Sequence, residues 1–254
     1  MLFVALYQNF QHGMLTFFVA YARLAIVFYT LPVMGERVLS NLIVKNSVVS
    51  LTIIGLWPCF EPLPLPEQGY LMILIKEGLV GLILAMTLCV PFWVAMGFGE
   101  ILDNQRGATL SESIDPVNGA QSSVLSGFMN FVFGAIFFSC GGMRLLVEVL
   151  AQSYRVLPRG SELATLHWQE AGKLAAVLVQ SSILLAAPVI LVLMVTEILL
   201  GVFSRYCPQL NPFSLSLSIK SFIAFIILLF YGFHALTEKP LQLFSIATFQ
   251  YFNS

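Results

Sequence analysis

The 254 residues of this chain are 58% hydrophobic and only 10% charged, and the formal net charge is −1. Twelve basic and thirteen acidic residues are too few to cover a soluble core of this size, since ordinary soluble domains have about 25% charged residues. The composition therefore predicts an all-α integral-membrane protein surrounded by lipid or equally apolar proteins, and the near-neutral charge argues against a nucleic-acid partner.

The sequence contains no recognisable catalytic, metal-binding or cofactor-binding motif. Its four cysteines are far apart and form no CxxC pair, and its three histidines are scattered. No P-loop, dinucleotide fingerprint, hydrolase elbow or HExxH motif stands in a suitable context. We therefore expect no enzymatic activity, no metal and no cofactor. No basic residue precedes Arg23, so a cleaved signal peptide is not expected either.

Six apolar segments follow one another along the chain, and each is predicted to be helical. They are Gly13–Met34, Val38–Pro58, Gly78–Gly99, Ser122–Val156, Leu174–Thr196 and Phe213–Leu236. The third is a charge-free run of 22 residues, which would span about 33 Å as a helix and could cross a hydrocarbon core. A proline-rich stretch over 58–66 predicts an extended linker, and Pro188 predicts a kink in the fifth segment.

A polar segment from Glu100 to Gln121 interrupts this pattern and contains five charged residues. It follows Gly97-Phe98-Gly99, which we interpret as a flexible exit from the third helix. Asp115-Pro116 and then Asn118-Gly119 are strong turn formers, so a long loop is predicted. Such a loop between two spanning helices is either a surface excursion or a segment packed into a cavity. Its mixture of small, apolar and oppositely charged residues favours the cavity.

The helix after this loop begins with a row of small and polar residues at four-residue spacing. The row consists of Ser122, Ser126, Asn130 and Gly134. Residues at this spacing lie along one side of a helix. In membranes such a row is typical of tight helix packing, and it could equally line a wetted pore. The two interpretations can hold together.

Charged residues also occur within or beside the apolar segments, where they are costly in lipid. They are Arg23, Lys76, Glu77, Glu197 and Lys220. A proton- or ion-coupled transporter would use such residues. We favour the alternative that they pair with one another, reach the interface or face partner subunits. The adjacent Lys76 and Glu77 point in different directions, which predicts a segment boundary between them.

Four groups of short motifs stand in order along nearly the whole chain. They are Leu31-Pro32-Val33-Met34-Gly35-Glu36-Arg37; Gly99-Glu100 with Asn104-Gln105-Arg106-Gly107-Ala108 and Asp115-Pro116; Leu157-Pro158 with Gly160; and Pro208-Gln209-Leu210-Asn211-Pro212-Phe213-Ser214 running to Lys220-Ser221. Together they resemble the T component of bacterial type III secretion export gates, the SctT family, whose flagellar counterpart is FliR. The Asn-Gln-Arg-Gly run indicates the injectisome branch of virulence systems.

The resemblance implies a structural subunit of an export gate in the bacterial inner membrane, which passes transient unfolded protein substrates. It implies R-type and S-type gate subunits as partners, with the U-type switch protein and other export apparatus components nearby. Residues 1–171 would be an R-like part and 172–254 an S-like helical hairpin, in a tilted helical stack with fewer than six true crossings. Small residues at four-residue spacing suit the contact with the S-type subunit; they are Gly172, Ala176, Ser182 and Ala186.

In this family the loop between the R-like helices helps to plug the closed channel. Carried over, the plug is predicted over Asn104–Asn118, with Arg106 and Asp115 as polar anchors and the Ser122–Gly134 row as its wall. The site residues implied are Asn104, Gln105, Arg106, Gly107, Leu110, Ile114, Asp115 and Pro116. The alternative function is a small-solute or ion-coupled inner-membrane transporter with a site at a broken helix. A membrane enzyme is disfavoured by the absence of a nucleophile–base pair or metal cluster.

Overall fold

A computed structural model describes residues 2–35, 41–60, 69–107, 123–157, 168–206, 212–232 and 234–236. In these ranges the regular structure is helical throughout, which confirms the all-α prediction. The α-helices are α1 (Leu2–Thr30), α2 (Leu42–Leu56), α3 (Tyr70–Gln105), α4 (Val124–Ser139), α5 (Gly142–Val156), α6 (Trp168–Tyr206) and α7 (Pro212–Ile227). Short 3₁₀ turns cover Pro32–Met34 and Trp57–Cys59, and a π-helical turn covers Leu228–Gly232.

Four stretches of helix are long and apolar enough to cross a membrane. They are Asn9–Thr30, Leu42–Cys59, Tyr70–Gln105 and Val179–Tyr206. Helices α4 and α5 pass the same test only if they are counted together, which would make a fifth span. The chain is therefore a multi-pass membrane protein, with fewer candidate spans in the described residues than the six apolar segments of its sequence.

Three sequence-based boundaries are wrong. The predicted single helix over 122–156 is broken at Cys140 and Gly141, where Gly141 has a left-handed backbone with φ 75°, which glycine adopts without a steric penalty. No boundary lies between Lys76 and Glu77, because both are inside α3. The Gly97-Phe98-Gly99 run is not a helix exit but part of the same helix. The linker predicted over 58–66 lies outside the described residues beyond Phe60.

The chain forms two compact units. The first contains Met1–Val90, Cys140–Ala171 and Phe244–Ser254, and the second contains Pro91–Ser139 and Gly172–Leu243. The second unit thus resumes at the residue where the S-like part was predicted to begin, but it also includes part of the predicted R-like region. The division into an R-like and an S-like part stays a prediction.

In the first unit, α1 packs against α2, and α5 and the first part of α3 complete the core. Each helix contributes fully buried aliphatic side chains: Leu24 and Val27 from α1, Val49 and Ile53 from α2, Ala85 from α3 and Leu150 from α5. Burial of such side chains contributes roughly 1.5–3 kcal/mol each relative to exposure in water.

In the second unit, an aromatic cluster joins the last part of α3 to α4. The ring of Phe92 meets Phe133 edge-on at 4.9 Å and Phe137 at 5.3 Å between centroids. All three side chains are fully buried. Edge-to-face pairs of this kind add about 0.5–1.5 kcal/mol to the burial of their area. This cluster fixes the packing of the helices that flank the polar segment.

Candidate functional site

The carboxylate of Asp103 is the centre of the polar structure in the second unit. Asp103 lies in the last turn of α3 with 1% of its side chain exposed. Its Oδ1 accepts from Arg106 Nε at 2.7 Å, and its Oδ2 accepts from the Ser123 hydroxyl at 2.5 Å and from the Leu125 backbone N–H at 2.9 Å. One buried carboxylate therefore joins the residues just before segment 108–122 to those just after it.

These hydrogen bonds also cap the start of α4. The Ser123 hydroxyl accepts a hydrogen bond from the Ser126 backbone N–H at 3.0 Å, and the Asp103 carboxylate accepts one from the Leu125 backbone N–H. Two of the four N–H groups that an α-helix leaves without intrahelical partners are thus satisfied. A negative charge at a helix N-terminus is further stabilised by the helix dipole.

Arg106 has two partners for its guanidinium group, a carboxylate and an aromatic ring. It forms an ion pair with Asp103, and its Cζ atom lies 5.4 Å from the centroid of the Phe225 ring in α7. The chain then turns at Gly107, whose φ of 75° is a left-handed conformation suited to a helix C-terminus. Asn104 and Gln105, which were predicted to begin the plug loop, are exposed residues in the last turn of α3, and the plug itself stays a prediction.

The other predicted plug residues, Leu110, Ile114, Asp115 and Pro116, lie outside the described residues, as does Ser122. The role of Arg106 as a plug anchor stays a prediction, although it does hold a carboxylate. Asp103 was missed by sequence reasoning. Its spacing of three residues before Arg106, at the end of a helix, is the signal that could have revealed it.

The row along α4 faces protein for most of its length. Ser126 and Gly134 are buried, and Asn130 is half-buried. The Asn130 Oδ1 atom has no hydrogen-bond partner although it is buried. The buried Ser126 and Gly134 fit tight helix packing. The Asn130 amide oxygen does not, because a buried acceptor without a donor is costly at a packed surface. Packing and pore lining therefore both stay open for this row.

Gly99 permits α3 to approach the start of α4 closely. A Cβ atom at this position would lie 2.7 Å from the Leu125 carbonyl oxygen and 2.8 Å from the Ser126 Cα. These are backbone atoms and cannot rotate away. Gly97 is similarly close to Ser182 of α6. The two glycines thus have a packing role.

Replacing Gly99 with alanine is expected to destabilise the protein by roughly 1–3 kcal/mol, because the added methyl group forces the helices apart. Gly201 is the matched control, since a Cβ atom there has nothing within 4 Å. Gly201→Ala should be neutral or slightly stabilising, as alanine favours a helix by about 1 kcal/mol over glycine. The melting temperatures of the two purified variants measure the difference. Equal shifts would contradict the close contact.

Charged residues within apolar segments form two ion pairs that cross between helices, Arg23 with Glu77 and Lys220 with Glu197. Arg23 is fully buried, and its Nε donates to Glu77 Oε2 at 2.7 Å. Its remaining nitrogens donate to the carbonyl oxygens of Ser153 at 3.3 Å and Leu157 at 3.0 Å. Its Cζ atom lies 4.3 Å from the centre of the Tyr154 ring. Arg23 thereby connects α1, α3 and the end of α5 within the first unit.

The second pair has one buried and one exposed member. Lys220 Nζ lies 3.0 Å from Glu197 Oε1, and the Glu197 side chain is 65% exposed. Its neighbours on α6 are exposed apolar residues: Met194, Val195, Ile198 and Leu199. An exposed carboxylate within an apolar span is costly against lipid, and Lys220 supplies a counter-charge for it.

The small residues predicted to contact the S-type subunit include two that are already covered. Ser182 and Ala186 are buried, and Ser182 lies against Gly97 within the second unit. Ala176 is exposed, so only the second half of the row packs inside this chain, and its contact with the S-type subunit stays a prediction. The free face of α6 is the apolar one around Glu197.

In the described part of the chain, no group of three or more His, Cys, Asp or Glu side chains could hold a metal ion.

Residues 14–242 match the family of bacterial export proteins, family 1. The chain belongs to this family. The protein-export resemblance inferred from the motifs is thereby confirmed.

Individual relatives agree with the family assignment. Over 249 residues the chain is 36% identical to the surface presentation of antigens protein SpaR of Salmonella typhimurium, covering 97% of this chain and 94% of that protein. It is 30% identical over 228 residues to the Yop proteins translocation protein T of Yersinia pestis, covering 87% of each. The flagellar biosynthetic protein FliR of Bacillus subtilis is 25% identical over 222 residues, 84% of each. The identity is higher to SpaR and to the Yop proteins translocation protein than to FliR, which fits the injectisome branch.

Proposed function

We propose that this chain is a structural subunit of a type III secretion export gate in the bacterial inner membrane, which helps to form and close a channel for unfolded proteins. Family membership and the apolar helices support a multi-pass component of protein export over a small-solute transporter. The observation that carries the closing role is the Asp103 carboxylate, which joins both ends of segment 108–122.

The physical argument starts from the width of such a channel. A passage for an unfolded chain would leak ions whenever it is idle, so a segment must fill it at rest. That segment needs rigid attachment points, because a loosely held loop would not exclude water. Asp103 and Arg106 provide such a point, since a buried charge-assisted pair with further hydrogen bonds is directional and strong. The proposed plug runs from the end of α3 to Asn118.

The proposed partners follow from the uncovered surface. With only 10% charged residues, the chain leaves many large apolar side chains exposed along α1 and α6. Extended exposed apolar surfaces of this kind mark contacts with other proteins or with the membrane. The outward-facing Glu197 favours a protein neighbour on α6 with a hydrogen-bond donor. R-type and S-type subunits would cover this face, and the U-type switch protein would be a further neighbour.

Deleting Thr109–Asp115 is expected to raise the passive permeability of the inner membrane to small ions and solutes in cells that carry the whole assembly. The reason is that the apolar Leu110 and Ile114, which would exclude water from the channel, are lost. Membrane potential and uptake of a normally excluded dye measure the effect, and co-purification of the partners checks assembly.

The same deletion in cells that lack the partner subunits is the control, and it should cause no leak because no channel exists. An assembled complex without these residues that stays tight to ions would contradict the plug. A loss of uptake of one particular solute, with no leak, would instead favour the transporter alternative.

A further inference from the structure

Lys45 is a buried cation for which the described residues supply no counter-ion. It lies in the first turns of α2 with a relative exposure of 9%. Its Nζ atom lies 5.6 Å from the centre of the Tyr29 ring. Across the ranges that the structure describes, no carboxylate lies within ion-pair distance of it and no hydrogen bond from its ammonium group is formed. All three N–H groups of this ammonium therefore need acceptors from outside the described chain.

The side chains around Lys45 are fixed in position. The Tyr29 hydroxyl donates to Asn46 Oδ1 at 2.6 Å, and the Tyr21 hydroxyl donates to the same oxygen at 2.8 Å. Both rings are thus held between α1 and α2, and the Tyr29 ring supports Lys45 from one side. Lys45 and Tyr29 thus form a preorganised cationic site between two helices of the first unit, which we call the Lys45 site.

The Lys45 site lies at the edge of two candidate membrane spans. Tyr29 is one residue before the end of the Asn9–Thr30 span, and Lys45 is three residues after the start of the Leu42–Cys59 span. At 1.5 Å per residue, Lys45 is about 4.5 Å inside that end. Tyrosine and lysine are enriched at this depth, where the phosphate groups of lipids lie.

The exposed apolar residues in the first turn of α2, just before Lys45, suit acyl chains. Leu42 is 62% exposed, Ile43 is 74% exposed, and Val44 is 41% exposed. The cationic Lys45 site matches the anionic head group of a phospholipid, and the apolar residues beside it match the acyl chains. We propose that Lys45 and Tyr29 form a binding site for the phosphate of an anionic phospholipid head group, with phosphatidylglycerol as its simplest representative. The proposal rests on the membrane location of the chain and not on the plug.

The test uses the full chain, purified with its co-expressed gate subunits and depleted of lipid. Native mass spectrometry then measures the retention of added phosphatidylglycerol and of phosphatidylcholine, whose head group has no net charge. The wild type should retain phosphatidylglycerol preferentially. Lys45→Gln should weaken that retention roughly five- to tenfold, whereas Lys45→Arg should keep it. Arg144→Gln is the control, because Arg144 is 86% exposed and already pairs with Glu148.

Two further arms decide between sources of the acceptor. Excess soluble glycerol phosphate should not displace the lipid, since it lacks the acyl chains; full displacement would show a site for free phosphate and overturn the proposal. Equal retention of both lipids by the wild type would also overturn it, even if Lys45→Gln failed to fold. If Lys45→Gln instead loses a partner subunit while lipid retention is unchanged, the Lys45 site is a protein contact.

Discussion

Replacing Arg23 with methionine is expected to lower the stability of the protein by about 3–5 kcal/mol, the range found when one partner of a buried ion pair is removed. Glu77, which is 2% exposed, would be left with its charge buried beside an apolar side chain. The carbonyl oxygens of Ser153 and Leu157 would lose their donor at the same time. In a chain of this size the melting temperature should fall on the order of 10 °C.

The purified complex in detergent is suited to this measurement, with unfolding followed by intrinsic fluorescence. Arg144→Met is the matched control, because it removes the same charge from an exposed pair with Glu148, and no measurable shift is expected. The double variant Arg23→Met with Glu77→Met should regain much of the lost stability, since an apolar pair replaces the buried charges. A single Arg23→Met variant as stable as the wild type would show that the pair contributes nothing to the packing of α1 on α3.

Most of the fold could be predicted from the sequence because membrane helices leave a strong signal in composition. Each of the six apolar segments is mainly helical where the structure describes it, and the fourth is interrupted at Cys140 and Gly141. The errors occur where tertiary partners decide. Glu77 resembled a boundary residue, yet Arg23, far away in sequence, neutralises it inside α3. The break at Gly141 depends on one residue adopting a left-handed backbone, which a smooth apolar pattern does not reveal.

The candidate site was predictable only in part. Arg106 could be named from a motif, but the partners that Asp103 binds through Oδ2, Ser123 and Leu125, are 20 and 22 residues away. Periodicity describes neighbours on one helix and gives no information about contacts across a loop. The same limit applies to Ala186, whose spacing indicated helix packing without showing that the packing lies inside the chain.

Asp103→Ala is expected to have the second large effect, on both stability and closure. It removes the acceptor shared by Arg106, Ser123 and Leu125, and it leaves the guanidinium of Arg106, only 16% exposed, without its counter-charge. A loss of about 3–5 kcal/mol follows from breaking such a pair. Asp103→Asn preserves the shape and one acceptor oxygen, so about 1–3 kcal/mol is expected for it.

The effect on closure distinguishes this site from an ordinary structural contact. If the carboxylate fixes both ends of the plug, cells with the assembled Asp103→Ala gate should leak ions at rest, and Asp103→Asn should leak less. Glu100→Ala is the matched control, because Glu100 is an exposed acid on the same helix, three residues earlier. The Glu100→Ala gate should stay tight to ions and stable.

Membrane potential in cells with equal amounts of assembled complex measures the difference between the variants. Under the plug proposal, Asp103 holds the ends of the loop and does not fill the channel. As the growth temperature is lowered, assembly of the Asp103→Ala gate should therefore recover before its tightness to ions does. An Asp103→Ala gate that assembles at wild-type levels and stays tight to ions would mean that the carboxylate only caps α4.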